Sequence, residues 1–243
     1  MILNRFTFLF LTFLLVINGA NAQEYRLKPK AVIELFTSQG CASCPAADKN
    51  LVELSKNNNI IALAYHVNYW DYIGWHDTFG NEENSKLQRE YSKANNKSPI
   101  YTPQMIINGT KDVVGSHKKE IVQALLKSSL YLPVNIKVKD DYLIISVKGN
   151  KSQKEATIWL VTFISRGEVK ISKGENKDKK LIYSNIVTSR HALGMWNPNV
   201  GAHIKLPLSK VLNGKNDGLA ILVQNNKNGL PSKIIGSASY IKE

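Results

Sequence analysis

Apolar positions change rhythm near residue 132, and the two rhythms predict two kinds of architecture. In the first half, Ala31 to Thr37 (AVIELFT) is a short β-prone run closed by the turn Ser38-Gln39-Gly40. Cys44 to Lys56 then places Ala47, Leu51, Val52 and Leu54 at nearly helical spacing, and Asn57-Asn58-Asn59 ends that helix. Ile60 to Val67 reads as a second strand, followed by an aromatic-rich loop from Asn68 to Phe79. Glu82 to Lys97 is polar and helix-compatible, an inserted helix. Met105 to Ile107 and Lys111 to Val114 flank Asn108-Gly109, a strong hairpin signal. His117 to Ser129 closes the unit as a helix with Ile121, Leu125 and Leu126 on one face.

After Pro133 the period drops to two. Val134 to Val138 and Leu143 to Val147 alternate, and Ala156 to Ile164 is apolar on both faces, as a central strand would be. Further strands are expected at Glu168 to Ile171, Leu181 to Val187, His203 to Leu208, Leu219 to Gln224 and Lys233 to Ile241. Turn signals such as Lys173-Gly174, Asn213-Gly214 and Asn228-Gly229 separate several of them. The expected organisation is an α/β domain over 23–131 with a helical insertion, then an all-β, sandwich-like domain over 132–243. His191, Trp196 and His203 in the second half are read as structural.

The first 22 residues change that picture at one end. Arg5, the apolar run Phe6 to Ile17 and the small-x-small triplet Ala20-Asn21-Ala22 have the form of a cleavable signal peptide. This predicts an exported protein, periplasmic or extracellular, with no membrane-spanning segment once the signal is removed. The net charge is +13, with 32 Lys and Arg against 19 Asp and Glu. The cations are scattered lysines, without the clustered arginine and interleaved aromatics of a nucleic-acid surface, so no nucleic-acid partner is expected.

Both cysteines of the chain lie in Gly40-Cys41-Ala42-Ser43-Cys44-Pro45. With no third cysteine, a disulfide framework is excluded and so is an all-sulfur zinc site within one chain. A thiolate is the reactive form, and a helix N-terminus lowers a thiol's pKa. Cys41, expected at the helix N-cap, is therefore the candidate nucleophile, and Cys44, one turn on, the candidate resolving thiol. Glu34 shares a strand face with Val32 and Phe36 and is the candidate buried acid for the resolving thiol. Thr102 and Pro103 precede the third strand, where a cis proline would present backbone groups to a substrate. Trp70 and Trp75, in the loop after the second strand, are candidates for a substrate-groove wall.

Three segments resemble an uncharacterised family of exported bacterial thioredoxin-like proteins: Glu34-Leu35-Phe36-Thr37-Ser38-Gln39-Gly40-Cys41-Ala42-Ser43-Cys44-Pro45-Ala46-Ala47-Asp48, His66-Val67-Asn68-Tyr69-Trp70-Asp71 and Tyr101-Thr102-Pro103-Gln104. Leu181 to Val187 and Leu193-Gly194-Met195-Trp196 extend the resemblance into the second half. It implies a thioredoxin-like domain followed by a β-rich one, and it supplies no substrate. The expected function is a thiol–disulfide oxidoreductase acting on protein or small-molecule thiols and disulfides, with no cofactor. Two alternatives stand beside it. One is a Cu or Zn protein using Cys41 and Cys44 with His66 or His76. The other is a binding module that kept the fold without the chemistry.

Overall fold

The computed structural model describes residues 23–25, 29–96 and 99–242, and the expected signal peptide at 1–22 lies outside them. In chain order the elements are β1 (Gln23–Tyr25), β2 (Ala31–Thr37), α1 (Cys44–Ser55), β3 (Ile60–His66), α2 (Glu82–Ala94), β4 (Gln104–Ile107), β5 (Lys111–Val114) and α3 (Lys118–Leu126). They continue with β6 (Val134–Lys139), β7 (Tyr142–Val147), β8 (Ala156–Lys170), β9 (Lys180–Trp196), β10 (Ala202–Pro207), α4 (Leu208–Val211), β11 (Gly218–Lys227) and β12 (Leu230–Ile241).

Eight of these strands form one mixed sheet in the order β12-β11-β8-β9-β3-β2-β4-β5, and β1-β6-β7-β10 form a smaller sheet. The expected thioredoxin-like α/β domain followed by a separate sandwich is therefore corrected. The protein is mostly β, and strands from both sides of residue 132 share one sheet. The physical reason lies at β3. Its edge would expose a row of backbone groups on an apolar strand, and β9 covers it. They pair in parallel at Ala64 and Ile186. Asn185, in the left-handed region at φ 50°, adds a side-chain bond from Nδ2 to the Ala62 carbonyl (2.7 Å). The strands expected at 156–164 and 168–171 are one long strand, β8, whose hairpin with β9 is the longest in the molecule.

Alternation along β2 assigns its two faces. Ala31, Ile33 and Leu35 pack with Ala47 and Leu51 of α1 and Ile121 of α3. Val32 and Phe36 pack with Leu87 and Tyr91 of α2 and with Val161, Leu222 and Ile234 of the second half. The smaller sheet covers the other end of the large sheet through Ile136, Leu143 and Ile145 against Ile158, Leu160 and Ile221, with Trp196 fully buried among them. α2 starts at Asn81, whose side chain accepts from the Asn84 amide (2.8 Å), with Glu82 and Glu83 favourably placed in the first turn.

The Asn108-Gly109 turn is a hairpin turn with φ 49° and 73°, as its sequence demands. It also ties the halves together. A Cβ on Gly109 would stand 2.2 Å from the Ser232 carbonyl oxygen, and the Ile234 amide donates to the Asn108 carbonyl (3.0 Å). Among the described residues no helix is long and apolar enough to cross a membrane.

Candidate functional site

β2 and β3 run parallel and β4 runs antiparallel to β2, so the ends of β2 and β3 meet the start of β4 at one edge. The Cys-x-x-Cys motif follows β2, the aromatic loop follows β3, and Pro103 directly precedes β4. The Thr102–Pro103 bond is cis. Topology therefore gathers Cys41, Cys44, Trp70, Trp75, Thr102 and Pro103, six of the residues singled out in the sequence.

Cys41 and Cys44 are joined by a disulfide, with Cα atoms 5.4 Å apart. Both are buried, whereas Ala42 and Ser43 between them are exposed. The helix N-cap is Ser43 rather than Cys41, because 41–43 form a turn closed by the Cys44 amide on the Cys41 carbonyl (3.2 Å). Cys44 is thus the first helical residue, followed by Pro45, which lacks an N–H that would have had no helical partner. No side chain caps this end and its first turn holds no acid, so the positive end of the helix faces the sulfurs unopposed.

The aromatic loop is tied to this turn. Trp70 Nε1 donates to Thr102 Oγ1 (2.7 Å) and Trp75 Nε1 to Gln39 Oε1 (2.8 Å). A Cβ on Gly40 would lie 3.2 Å from Trp70 Cβ, a close approach that only glycine permits without adjustment. Tyr72 stacks on Trp70 at 6.4 Å and is 80% exposed, so a flat aromatic shelf stands open beside the pair. On the opposite flank a Cβ on Gly115 would come within 2.9 Å of Ala47 and 2.8 Å of Leu35, with Pro103 at 3.4 Å. Gly115 lets the turn after β5 seat against α1, where Asn50 Nδ2 donates to its carbonyl (3.1 Å).

Glu34 does not sit with the pair. It lies on the α2 face of β2, opposite α1, where Tyr91 donates its hydroxyl to the carboxylate. Burial pushes the Glu34 carboxyl up, while the nearby Arg190 charge and the Tyr91 and Tyr65 hydroxyls pull it down, leaving it raised. The alternation placing it with Val32 and Phe36 holds, but that face is the one turned away from Cys44. The acid beneath the cysteines is Asp48, which sequence reasoning missed. It sits one turn along α1 from Cys44, is 4% exposed, and accepts from Thr37 Oγ1 (2.7 Å). Burial pushes its carboxyl up to about 7, against the lowering pull of His66 and the Thr37 hydroxyl. The signal was present in the spacing: 44, 47, 48 and 51 form the inward stripe of an amphipathic helix.

His66 is buried and its Nδ1 pairs with Asp77 Oδ2 (2.9 Å). Burial pulls its pKa down, but the Asp77 carboxylate, its hydrogen bond and Asp48 outweigh that and leave it raised. Burial pushes Asp77 up, and His66 together with the Gln39 and Phe79 amides more than offsets it, leaving it lowered. His76 is exposed and pairs with Asp71 (2.6 Å). The metal alternative thus finds His66 and His76 in separate carboxylate pairs and the cysteines bonded to each other. Among the described residues no group of three or more His, Cys, Asp or Glu side chains is arranged to hold a metal ion.

The second missed residue is Asn176, in the loop joining β8 and β9. It is fully buried, and its Nδ2 donates to the carbonyls of both Gln39 and Cys41 at 2.9 Å. Lys179 Nζ holds its Oδ1 (2.8 Å), and Gly174 lies against Trp75. The second half of the chain therefore roofs a site built by the first.

Fold and site together define a mixed-sheet protein with a buried Cys-x-x-Cys disulfide at a helix start, beside a cis proline. The chain belongs to the family described as "Protein of unknown function (DUF1223)", whose profile matches residues 32–224. It is similar to the crystal structure of a protein from Agrobacterium tumefaciens determined by a structural genomics consortium. The two share 33% identity over 89% of this chain and 96% of the other, with a TM-score of 0.80. No curated protein matches it.

Proposed function

We propose that this protein is an exported thiol–disulfide oxidoreductase that uses Cys41 as the attacking and Cys44 as the resolving sulfur. The single observation that carries this reading is the placement of the Cys41–Cys44 disulfide. It stands at an uncapped helix N-terminus, at the sheet edge where Thr102, Pro103 and the open Trp70–Tyr72 shelf also gather. A disulfide closing so short a loop restrains the unfolded chain little, so stability alone is a weak reason to keep it. The helix end stabilises a thiolate and favours reduction, and the exposed Ala42-Ser43 turn is the side from which a substrate sulfur arrives. Thr102, Pro103, Trp70 and Tyr72 form the docking wall. Because Cys41 is only 1% exposed, exchange requires the Asn176 loop to lift from the Gln39 and Cys41 carbonyls. The metal-binding reading finds no group of three or more ligating side chains arranged for a metal among the described residues, and the signal-like residues 1–22 supply the reason to place the protein outside the cytoplasm.

Equilibration with glutathione buffers tests the proposal. A reversible two-electron potential between about −120 and −270 mV, the span of known dithiol catalysts, is the expected result. Cys44→Ser should trap a mixed disulfide on Cys41, and Cys41→Ser should trap none. A pair that is reduced only on unfolding, or a metal bound stoichiometrically and lost in Cys41→Ser, would overturn it.

A further inference from the structure

Beneath α1 three buried polar atoms lack a hydrogen-bond partner: Asp48 Oδ2, His66 Nε2 and Tyr183 Oη. They belong to one neighbourhood. The His66 and Tyr183 rings are 4.6 Å apart, and the Asp48 charge acts on both residues. Leaving such atoms unpaired costs about 1–3 kcal/mol each, and this group differs from the similar one at Glu34, Tyr65 and Arg190 in lying one helical turn from Cys44. Side chains of a helix tilt toward its N-terminus, so Asp48, four residues after Cys44, covers the turn that carries the Cys44 sulfur. Thr37 Oγ1 fixes Oδ1 (2.7 Å) and leaves Oδ2 free. Asp48 also reaches a cavity of about 330 Å³ between α1 and the β8–β9 hairpin, open to water beside Pro45 and Leu181.

We infer that Asp48 is the proton acceptor for the Cys44 thiol, with the His66–Asp77 pair as its electrostatic partner and the α1–β9 groove as its outlet to water. This rests on the redox reading of the pair and adds the proton path to it. In the reduced protein, the Cys41 thiolate attacks a substrate disulfide. A Cys41–substrate bond forms, and the departing sulfur carries off the electron pair and takes a proton from water. Cys44 then gives its thiol proton to Asp48, and its sulfur attacks Cys41 Sγ. The Cys41–Cys44 bond forms as the second substrate sulfur leaves as thiolate and is protonated by solvent. The substrate disulfide gains two electrons and becomes two thiols, the protein dithiol becomes the disulfide, and Asp48 releases its proton through the groove.

A carboxylate that ionises near neutrality is well matched to this task. Burial raises the Asp48 carboxyl to about 7 and so supplies that match. The groups facing Asp48 are Thr37 from β2, His66 from β3, Asp77 from the aromatic loop and Tyr183 from β9. Lys49 and Glu53 of α1 and Arg166 and Lys180 of the hairpin line the groove. The His66–Asp77 pair brings balanced charge, so the carboxylate forms without a bare repulsion from Asp77.

The test uses the full-length reduced protein and the aryl disulfide of thionitrobenzoate. Attack by Cys41 releases one coloured thiolate, and resolution by Cys44 releases a second. In Asp48→Asn the first release should keep its rate, while the second slows about a hundredfold, the lower end of what a positioned base supplies, and loses its inflection near pH 7. Asp48→Glu should recover part of the rate. Thr37→Val, which removes the hydrogen bond favouring the carboxylate, should move the inflection to higher pH, and it carries the test if the Asn variant does not fold. A second release with unchanged rate and pH profile in Asp48→Asn, or an unmoved inflection in Thr37→Val, would overturn the assignment while leaving the redox pair intact. A folded, reduced protein that releases no coloured thiolate at all would overturn both.

Discussion

Glu34 and Asp48 are both fully buried acids, and they stand on opposite faces of the same strand layer. Glu34 is held among groups that do not change state near neutral pH: the Tyr91 hydroxyl, the Arg190 guanidinium and, through Tyr91, the Gln224 amide (2.8 Å). Those partners come from α2, β9 and β11, so Glu34 is a tie between the halves of the chain. Each acid accepts one hydroxyl, from Tyr91 or from Thr37, and keeps one oxygen unpaired; what sets Asp48 apart is a titratable histidine nearby and a sulfur one turn away. Burial raises both pKa values, but only one acid faces a group that can hand it a proton. The perturbation alone does not mark a working residue; the neighbours do.

The largest effect should come from breaking the tie. Glu34→Ala removes the acceptor of the buried Tyr91 hydroxyl and leaves a void at a fully buried position, and should cost roughly 3–5 kcal/mol in urea unfolding. The reduction potential of the folded fraction should stay unchanged; a shift in potential would erase the contrast with Asp48.

Asp48→Asn should do the reverse to stability. The folded pKa lies above the unfolded one, so the wild-type fold binds the extra proton and loses stability as pH rises from about 4 to about 7. The Asn variant should match wild type near pH 4. It should exceed it by on the order of 4 kcal/mol above pH 7, given about 1.4 kcal/mol per pKa unit. Equal unfolding midpoints at pH 8 would show that Asp48 is not perturbed by its burial.

Gly115→Ala sharpens the comparison from the proline side. Its methyl would press on Leu35 and Ala47, costing about 1–3 kcal/mol by overpacking beside Pro103. An unfolding midpoint unchanged from wild type would refute this. The smallest effect on stability is expected at the roof. Asn176→Ala removes three hydrogen bonds, about 1–2 kcal/mol in sum because Lys179 turns to water and the Cys41 carbonyl keeps the Cys44 amide, and should speed reaction of the disulfide with dithiothreitol. An unchanged reduction rate would mean the loop is no barrier.

Local structure was legible in the chain; assembly was not. β2 and β5 appear over the residues their patterns predict, and α1 ends one residue earlier than expected. The cis Pro103 and the Asn108-Gly109 turn also follow the sequence reading. The long-range pairing was hidden, because β3 and β9 meet through a single aligned pair, Ala64 and Ile186, more than 100 residues apart. Period-two alternation says which face of β9 is buried, not which strand it buries it beside. Glu34 shows the same limit at one residue, since alternation gave its face without saying which helix covers that face. Asn176 sits in a Lys-rich stretch, Lys173 to Lys180, that reads as an ordinary solvated loop. Only the folded hairpin turns its amide inward.

The roof over Cys41 also sets an order in time. Asn176 follows Cys41 by 135 residues. A ribosome adds about 5–20 residues per second, so on the order of ten seconds separates the synthesis of the two sulfurs from that of the residue that bonds the Cys41 carbonyl. Until the β8–β9 hairpin docks, the nascent cysteines are as open to oxidants and to other thiols as they will ever be. Closure of the site therefore waits on the second half of the chain, and on the proposed redox reading the Asn176 loop opens again at each exchange.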